Sequence, residues 1–95
     1  MIIKTRKRLV KKDNNWQVYI IQTKTGKLYT GITTNITRRW NEHKSKKGAK
    51  YFRIENPQEV VFIEGCKNRS EASRREYEIK KFNRTEKLEL IRNKA

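Results

Sequence analysis

The chain has 95 residues, 25 of them lysine or arginine and 10 aspartate or glutamate, so its formal net charge is +15 and its pI is near 10.3. That length allows one small domain with one modest core, and that charge favours polyanions, nucleic acid above all, through counterion release. The single cysteine, Cys66, excludes an intrachain disulfide and every multi-cysteine zinc site, and no run of about 18 apolar residues is present to span a membrane.

An anionic membrane surface would need a basic amphipathic helix with a wide apolar face, or a lipidation signal, and the sequence has neither. The N-terminus is positive but has no hydrophobic region behind it, so no secretory signal is expected. The expected setting is a soluble protein of the reducing cytoplasm. Cys66, between Gly65 and Lys67, reads as a small buried hydrophobe rather than a nucleophile.

Residues 1–15 carry six basic side chains and little periodicity. They are expected to form a mobile basic arm; the alternative is an extra edge strand using Ile2, Ile3, Leu9 and Val10. The Asp13-Asn14-Asn15 cluster marks the boundary with a domain over 16–95. Trp16–Gln22 and Leu28–Ile32 are rich in aromatic and β-branched residues and predict two strands. Lys24-Thr25-Gly26 suits a three-residue hairpin loop with Gly26 in the left-handed region. That length pairs Ile21 with Tyr29 and Tyr19 with Gly31, placing Tyr19 and Tyr29 on one face as diagonal neighbours. A two-residue loop would separate them. Gly31, with no side chain opposite Tyr19, leaves room for a ring or a phosphate.

Asn35 is a good N-cap for a helix from Ile36 to about Lys44, with Ile36 and Trp40 inward. Arg39 and His43 are one helical turn apart on a neighbouring face. Residues 45–58 read as a polar loop carrying Lys46, Lys47, Lys50 and Arg53 around Tyr51-Phe52, closed by Pro57. Val60–Ile63 predicts a third strand covered on both faces. Ser70 is expected to cap a second long helix, Glu71 to about Phe82, with Ala72, Ile79 and Phe82 inward and Glu76 on the same stripe. A third short helix is expected after Thr85. The fold class is α+β, a small three-stranded antiparallel sheet flanked by helices in the order β-β-α-β-α-α.

Each candidate has an ordinary structural reading. Strand tyrosines are usually core, and their hydroxyls need partners that can be purely structural. Arg39 and His43 alone could be a solvated face. Glu76 on an apolar stripe is costly unless paired or metal-bound, and an ion pair with Arg39 or another arginine would satisfy it. The co-occurrence is what points to chemistry. Two phenols, a guanidinium, an imidazole and an acid are the parts that cut a phosphodiester with one metal ion.

The spacing Tyr19…Tyr29-x-Gly31…Arg39-x-x-x-His43…Glu76 resembles that of the GIY-YIG nucleases. The stretch 28–50 looks especially like the small stand-alone bacterial proteins of that superfamily. Resemblance covers roughly residues 16–91. Tyr19 falls on the tyrosine of the first family tripeptide, Tyr29 and Gly31 on the tyrosine and glycine of the second. Arg39 falls on the helix arginine, with Arg38 as adjacent competitor, His43 on a position that is often histidine or tyrosine, and Glu76 on the metal-binding glutamate in preference to Glu78. Asn83 is a candidate for the asparagine that many relatives place after that helix. The tripeptides themselves read Gln-Val-Tyr and Tyr-Thr-Gly, so the tyrosines stay while the literal motif is gone.

The resemblance implies an endonuclease that hydrolyses phosphodiester bonds in nucleic acid, DNA placed ahead of RNA, with one Mg²⁺ or Mn²⁺ at Glu76 that binds weakly without substrate. The catalytic set would be Tyr19, Tyr29, Arg39, His43 and Glu76. Gly31, Arg38, Lys46, Lys47, Lys50 and Arg53 would meet nucleic acid, and the arm would add sequence-independent phosphate contacts. Tyr51 and Phe52 could stack on an unpaired base or pack over the third strand. A monomer is the default, with no membrane partner. The alternative function is a non-catalytic nucleic-acid-binding module that keeps the fold, and a third is a basic scaffold bound to a partner.

Overall fold

The computed structural model of the chain describes residues 15–94. The basic arm expected over 1–15, and the edge strand weighed against it, lie outside the described residues but for Asn15.

Strands β1 (Trp16–Thr23) and β2 (Leu28–Thr33) form the expected hairpin. Gly26 has φ 91° and donates its N–H to Thr23 O at 2.9 Å, while Thr23 N–H donates to Lys27 O at 2.9 Å. Only glycine adopts that backbone without steric cost. The three-residue loop therefore fixes the register, with Ile21 opposite Tyr29 and Tyr19 opposite Gly31. Strand β3 (Pro57–Cys66) pairs antiparallel with the other side of β1, giving the sheet order β2-β1-β3.

β3 is longer than the apolar run Val60–Ile63. The ladder partners that β1 offers from Trp16 to Thr23 extend it over polar residues, a tertiary effect that strand propensity does not carry. Pro57 sits at its first position, where a missing N–H is tolerated. A bulge between Ile20 and Ile21 leaves Val61 without a β1 partner.

The helices are α1 (Ile36–Lys44), α2 (Tyr51–Ile54), α3 (Arg69–Lys80) and α4 (Arg84–Lys94). Asn35 caps α1 as expected, accepting from Arg38 N–H at 2.9 Å. Three boundaries differ from the sequence reading. The single turn α2 lies inside the stretch read as a polar loop, too short for any periodicity to reveal it. The cap of α3 is Asn68, not Ser70. Asn68 is extended, at φ −155°, and its Oδ1 accepts from Glu71 N–H at 2.8 Å, so Ser70 falls inside the first turn. Asn83 starts α4 through a reciprocal box, its Oδ1 accepting from Glu86 N–H and its N–H donating to Glu86 Oε1, both at 2.8 Å. Asn83 therefore has a capping task at the start of α4.

The sheet is covered on both faces. Val18, Ile20, Val61, Phe62 and Cys66 pack with Ala72 and Ile79 of α3, and Phe82, Leu90 and Ile91 close that side. Tyr19, Ile21, Val60 and Ile63 pack on the other face with Ile36 and Trp40 of α1 and Phe52 of α2. Phe52 is fully buried there, so it packs over β3 and is not a stacking platform. Cys66 is buried, and burial pushes its thiol pKa up, as befits a core hydrophobe.

Asn68→Ala should lower stability by about 1 kcal/mol, whereas Ser70→Ala should change it by less than about 0.5 kcal/mol. Urea midpoints of the two variants measure this, and the reverse order would return the cap to Ser70.

Candidate active site

The site grows from the hairpin register. Tyr19 lies in the central strand, and its ring leans across Gly31 toward the β2 edge. A Cβ built on Gly31 would stand 2.5 Å from the Tyr19 oxygen and 2.7 Å from Cζ, so any side chain there would evict the ring. Tyr29 shares the face, with ring centroids 6.3 Å apart.

Helix α1 brings His43 to this face. His43 is fully buried, not on a solvated face, and its Nε2 lies 2.9 Å from the Tyr19 oxygen. The end of α1 fixes the other ring nitrogen. Lys46 N–H donates to His43 O at 3.1 Å and Lys47 N–H to Glu42 O at 2.8 Å, the double bond pattern of a Schellman turn. Lys46 takes the left-handed position, at φ 67°, where a non-glycine residue costs roughly 1–2 kcal/mol. The turn carries the chain back so that Ala49 N–H donates to His43 Nδ1 at 3.3 Å. Gly48 permits the approach, since a Cβ there would collide with the imidazole.

A backbone N–H can only donate, so Nδ1 accepts and the proton of the neutral ring sits on Nε2. Nε2–H therefore donates to the Tyr19 oxygen. Burial holds the imidazole neutral, with its pKa pushed down to about 4 and Arg39 acting in the same direction.

Arg39 lies near enough to the Tyr19 phenol for its charge to favour the ionised oxygen. Burial opposes its charge, but the hydrogen bond to Glu42 and the nearby Tyr19 phenol outweigh that and keep the guanidinium protonated. Glu42 Oε1 accepts from Arg39 Nη1 at 2.8 Å, and Glu42 Oε2 lies 3.4 Å from Arg38 Nη1. Glu42 is a member of the cluster that the sequence reading missed, although its spacing after Arg38 and Arg39 carries the signal. Burial pushes the Tyr19 pKa well above the ordinary phenol range; Tyr29 and Glu76 add to this and Arg39 opposes it.

Glu76 enters from α3, which covers the opposite face. Its charge is felt at the Tyr19 oxygen. It is half-buried rather than fully inward, with 23 % of its side chain exposed, and its ion pair is with Lys80 at 3.1 Å, not with Arg39. Glu78 points outward and pairs with Arg75. Tyr29 packs against His43 and Phe52 and stacks on Tyr51 with centroids 5.2 Å apart. Its hydroxyl has no hydrogen-bond partner among the described residues. Lys46 Nζ is held by Asn56 Oδ1 at 2.6 Å, while Lys47, Lys50 and Arg53 are exposed.

Among the described residues no group of three or more His, Cys, Asp or Glu could hold a metal ion. A lone, half-buried carboxylate fits a hard divalent ion that keeps most of its waters and takes a substrate oxygen. The residues present therefore fit one ion at Glu76. No helix among the described residues is long and apolar enough to cross a membrane.

A family model for the GIY-YIG catalytic domain matches residues 15–89. A UPF0213 protein of Desulfotalea psychrophila is 54% identical over 78 residues, covering 81% of this chain and 71% of that protein. A UPF0213 protein of Photorhabdus laumondii is 44% identical over 79 residues, covering 83% and 76%. The solution NMR structure of a UPF0213 protein from Bacillus halodurans superposes with a TM-score of 0.55 at 42% identity, covering 83% of this chain and 84% of the other.

Two outcomes follow from the Tyr19–His43 pair. Gly31→Ala should displace the Tyr19 ring and cost about 1–3 kcal/mol, the usual range for overpacking; unchanged denaturation would mean the ring has room to spare. The second concerns pH. The unfolded imidazole titrates near 6.5, so between there and about 4 the unfolded chain binds a proton that the folded chain refuses. His43 thus contributes stability above pH 6.5 that is lost as pH falls toward 4, on the order of 3 kcal/mol at about 1.4 kcal/mol per pKa unit. Denaturation of the native chain and of His43→Gln across pH 7 to 4.5 isolates this share, and parallel curves would contradict it.

Proposed function

Since the chain belongs to the GIY-YIG nuclease family, we propose that it is a divalent-metal-dependent endonuclease that hydrolyses phosphodiester bonds in nucleic acid, DNA ahead of RNA. The observation that carries this reading is the Tyr19 oxygen. It receives Nε2–H of a neutral His43 at 2.9 Å, and the Arg39 and Glu76 charges both act on it.

A donor and a nearby guanidinium charge stabilise negative charge on the phenol oxygen, while burial disfavours that charge. The phenol is therefore neutral in the free chain and becomes basic only as positive charge joins the site. With His43 donating to its oxygen, the Tyr19 proton is directed away from the imidazole. Once it has released that proton to the solvent entering with the ligand, the Tyr19 phenolate is placed to orient the attacking water and take its proton. Arg39 holds a non-bridging phosphate oxygen as charge builds there. The unpartnered hydroxyl of Tyr29 positions the same phosphate. Glu76 would hold the ion, which when bound supplies Lewis acidity at the scissile phosphate. Lys80 occupies that carboxylate meanwhile, and a half-exposed pair of this kind is worth about 1 kcal/mol or less, so it is readily displaced.

The rise in the Tyr19 pKa favours a second reading, a binding module that keeps the fold without cleaving. One experiment separates them. On supercoiled, single-stranded, flapped and branched substrates, Mg²⁺-dependent nicking should fall by roughly 100-fold or more in Glu76→Gln and in Tyr19→Phe, with nucleic-acid affinity nearly kept. Absence of nicking from every substrate with the native chain, or equal nicking in Glu76→Gln, would favour the binding module.

A further inference from the structure

An open groove of about 240 Å³ lies beside the site, between the start of β1, the end of β2 and the first turns of α1 and α3. Its size exceeds the about 10–15 Å³ that one water needs many times over. We propose that it is a second phosphate subsite, lined by Arg38, Arg39 and Arg69, which takes the nucleic-acid phosphate next to the one held at Tyr19. The choice of phosphate rests on the nuclease reading; the anion site itself does not.

The charge count points to an anionic ligand. Three guanidinium groups line the groove. Arg38 and Arg39 share a single carboxylate, Glu42. Arg69 has no carboxylate partner among the described residues, and its guanidinium lies over the Trp16 ring, 5.6 Å from the centroid. Gathering like charges in one groove is unfavourable until an anion enters. Arg75 on the same helix shows the contrast, because Glu64 and Glu78 satisfy it.

The geometry is that of a held donor rather than a loose surface cation. Stacking on Trp16 orders the Arg69 fork, and Thr34 Oγ1 accepts from Arg38 Nη2 at 3.5 Å. Planar guanidinium forks match phosphate oxygens in pairs, which an ammonium does not. Arg39 belongs to both places, since it lines the groove and its charge acts on the Tyr19 phenol. A strand whose scissile phosphate sits on Arg39 would thus lead its neighbouring phosphate into the groove.

The test uses the full ¹⁵N-labelled chain without divalent metal, titrated first with inorganic phosphate and then with a single-stranded tetranucleotide. Both should shift the Thr34, Arg38 and Arg69 amides saturably, the tetranucleotide at lower concentration. Arg69→Ala should weaken both by roughly tenfold, the loss of one charge-assisted contact. Arg69→Lys, which keeps charge but loses the fork, should fall between. Arg84→Ala removes an equal charge beyond the far end of α3 and should change neither. Equal losses in Arg69→Ala and Arg84→Ala, or shifts centred elsewhere, would overturn the subsite. Phosphate binding with no gain from the tetranucleotide would overturn its assignment to nucleic acid. If these shifts hold while nicking fails, the subsite stands and the nuclease reading falls.

Discussion

Nearly everything about the site depends on one hydrogen bond between His43 Nε2 and the Tyr19 oxygen, at 2.9 Å in a buried setting. Two unrelated pieces of backbone hold its two ends. The three-residue hairpin loop sets the register that puts Gly31 opposite Tyr19 and lets the ring lean over it. The turn after α1 returns the chain so that Ala49 N–H meets Nδ1 and Gly48 leaves room for the imidazole. Each end has a glycine where a Cβ would strike the ring, and the turn tolerates a left-handed lysine to close. A buried polar pair is costly when half satisfied, so the backbone that satisfies the far side of His43 is as necessary as the pair itself.

Charge at the site is balanced rather than merely positive, which the net charge of +15 alone would not suggest. Glu42 holds Arg39, and Lys80 covers Glu76 from the next turn of its own helix. The phenol is pushed toward neutrality by burial and toward ionisation by the Arg39 charge. Such opposed effects leave a group that responds strongly when a ligand adds charge, a pattern common at functional sites. The family implies a nucleic-acid substrate, and the 47–53 stretch carries the exposed cations Lys47, Lys50 and Arg53.

The local parts of the fold were legible in the sequence. Hairpin register followed from Gly26 and loop length, and α1 from Asn35 and its apolar stripe. What escaped was set by neighbours. β3 begins as early as Pro57 because β1 offers partners, and α3 is capped by Asn68 because the chain leaves β3 extended there, leaving the better-looking Ser70 inside the turn. In the site, side-chain identity and spacing picked out Tyr19, Tyr29, Arg39 and His43, and the structure brings these four together. Glu76 sits on the opposite layer and acts on Tyr19 through charge, a relation that helical periodicity cannot express. The proton on His43 is fixed by the Ala49 amide, and a backbone donor leaves no mark in the residue pattern.

The central claim is that His43 is neutral with its proton on Nε2, donating to Tyr19. His43 is the one histidine in the chain, so its imidazole nitrogens can be read without ambiguity in a long-range ¹H–¹⁵N spectrum at neutral pH. Nε2 should show a bound proton and Nδ1 a bare lone pair, with the Nε2 proton signal shifting in Tyr19→Phe. A proton on Nδ1, or an imidazolium with both nitrogens protonated, would contradict the account.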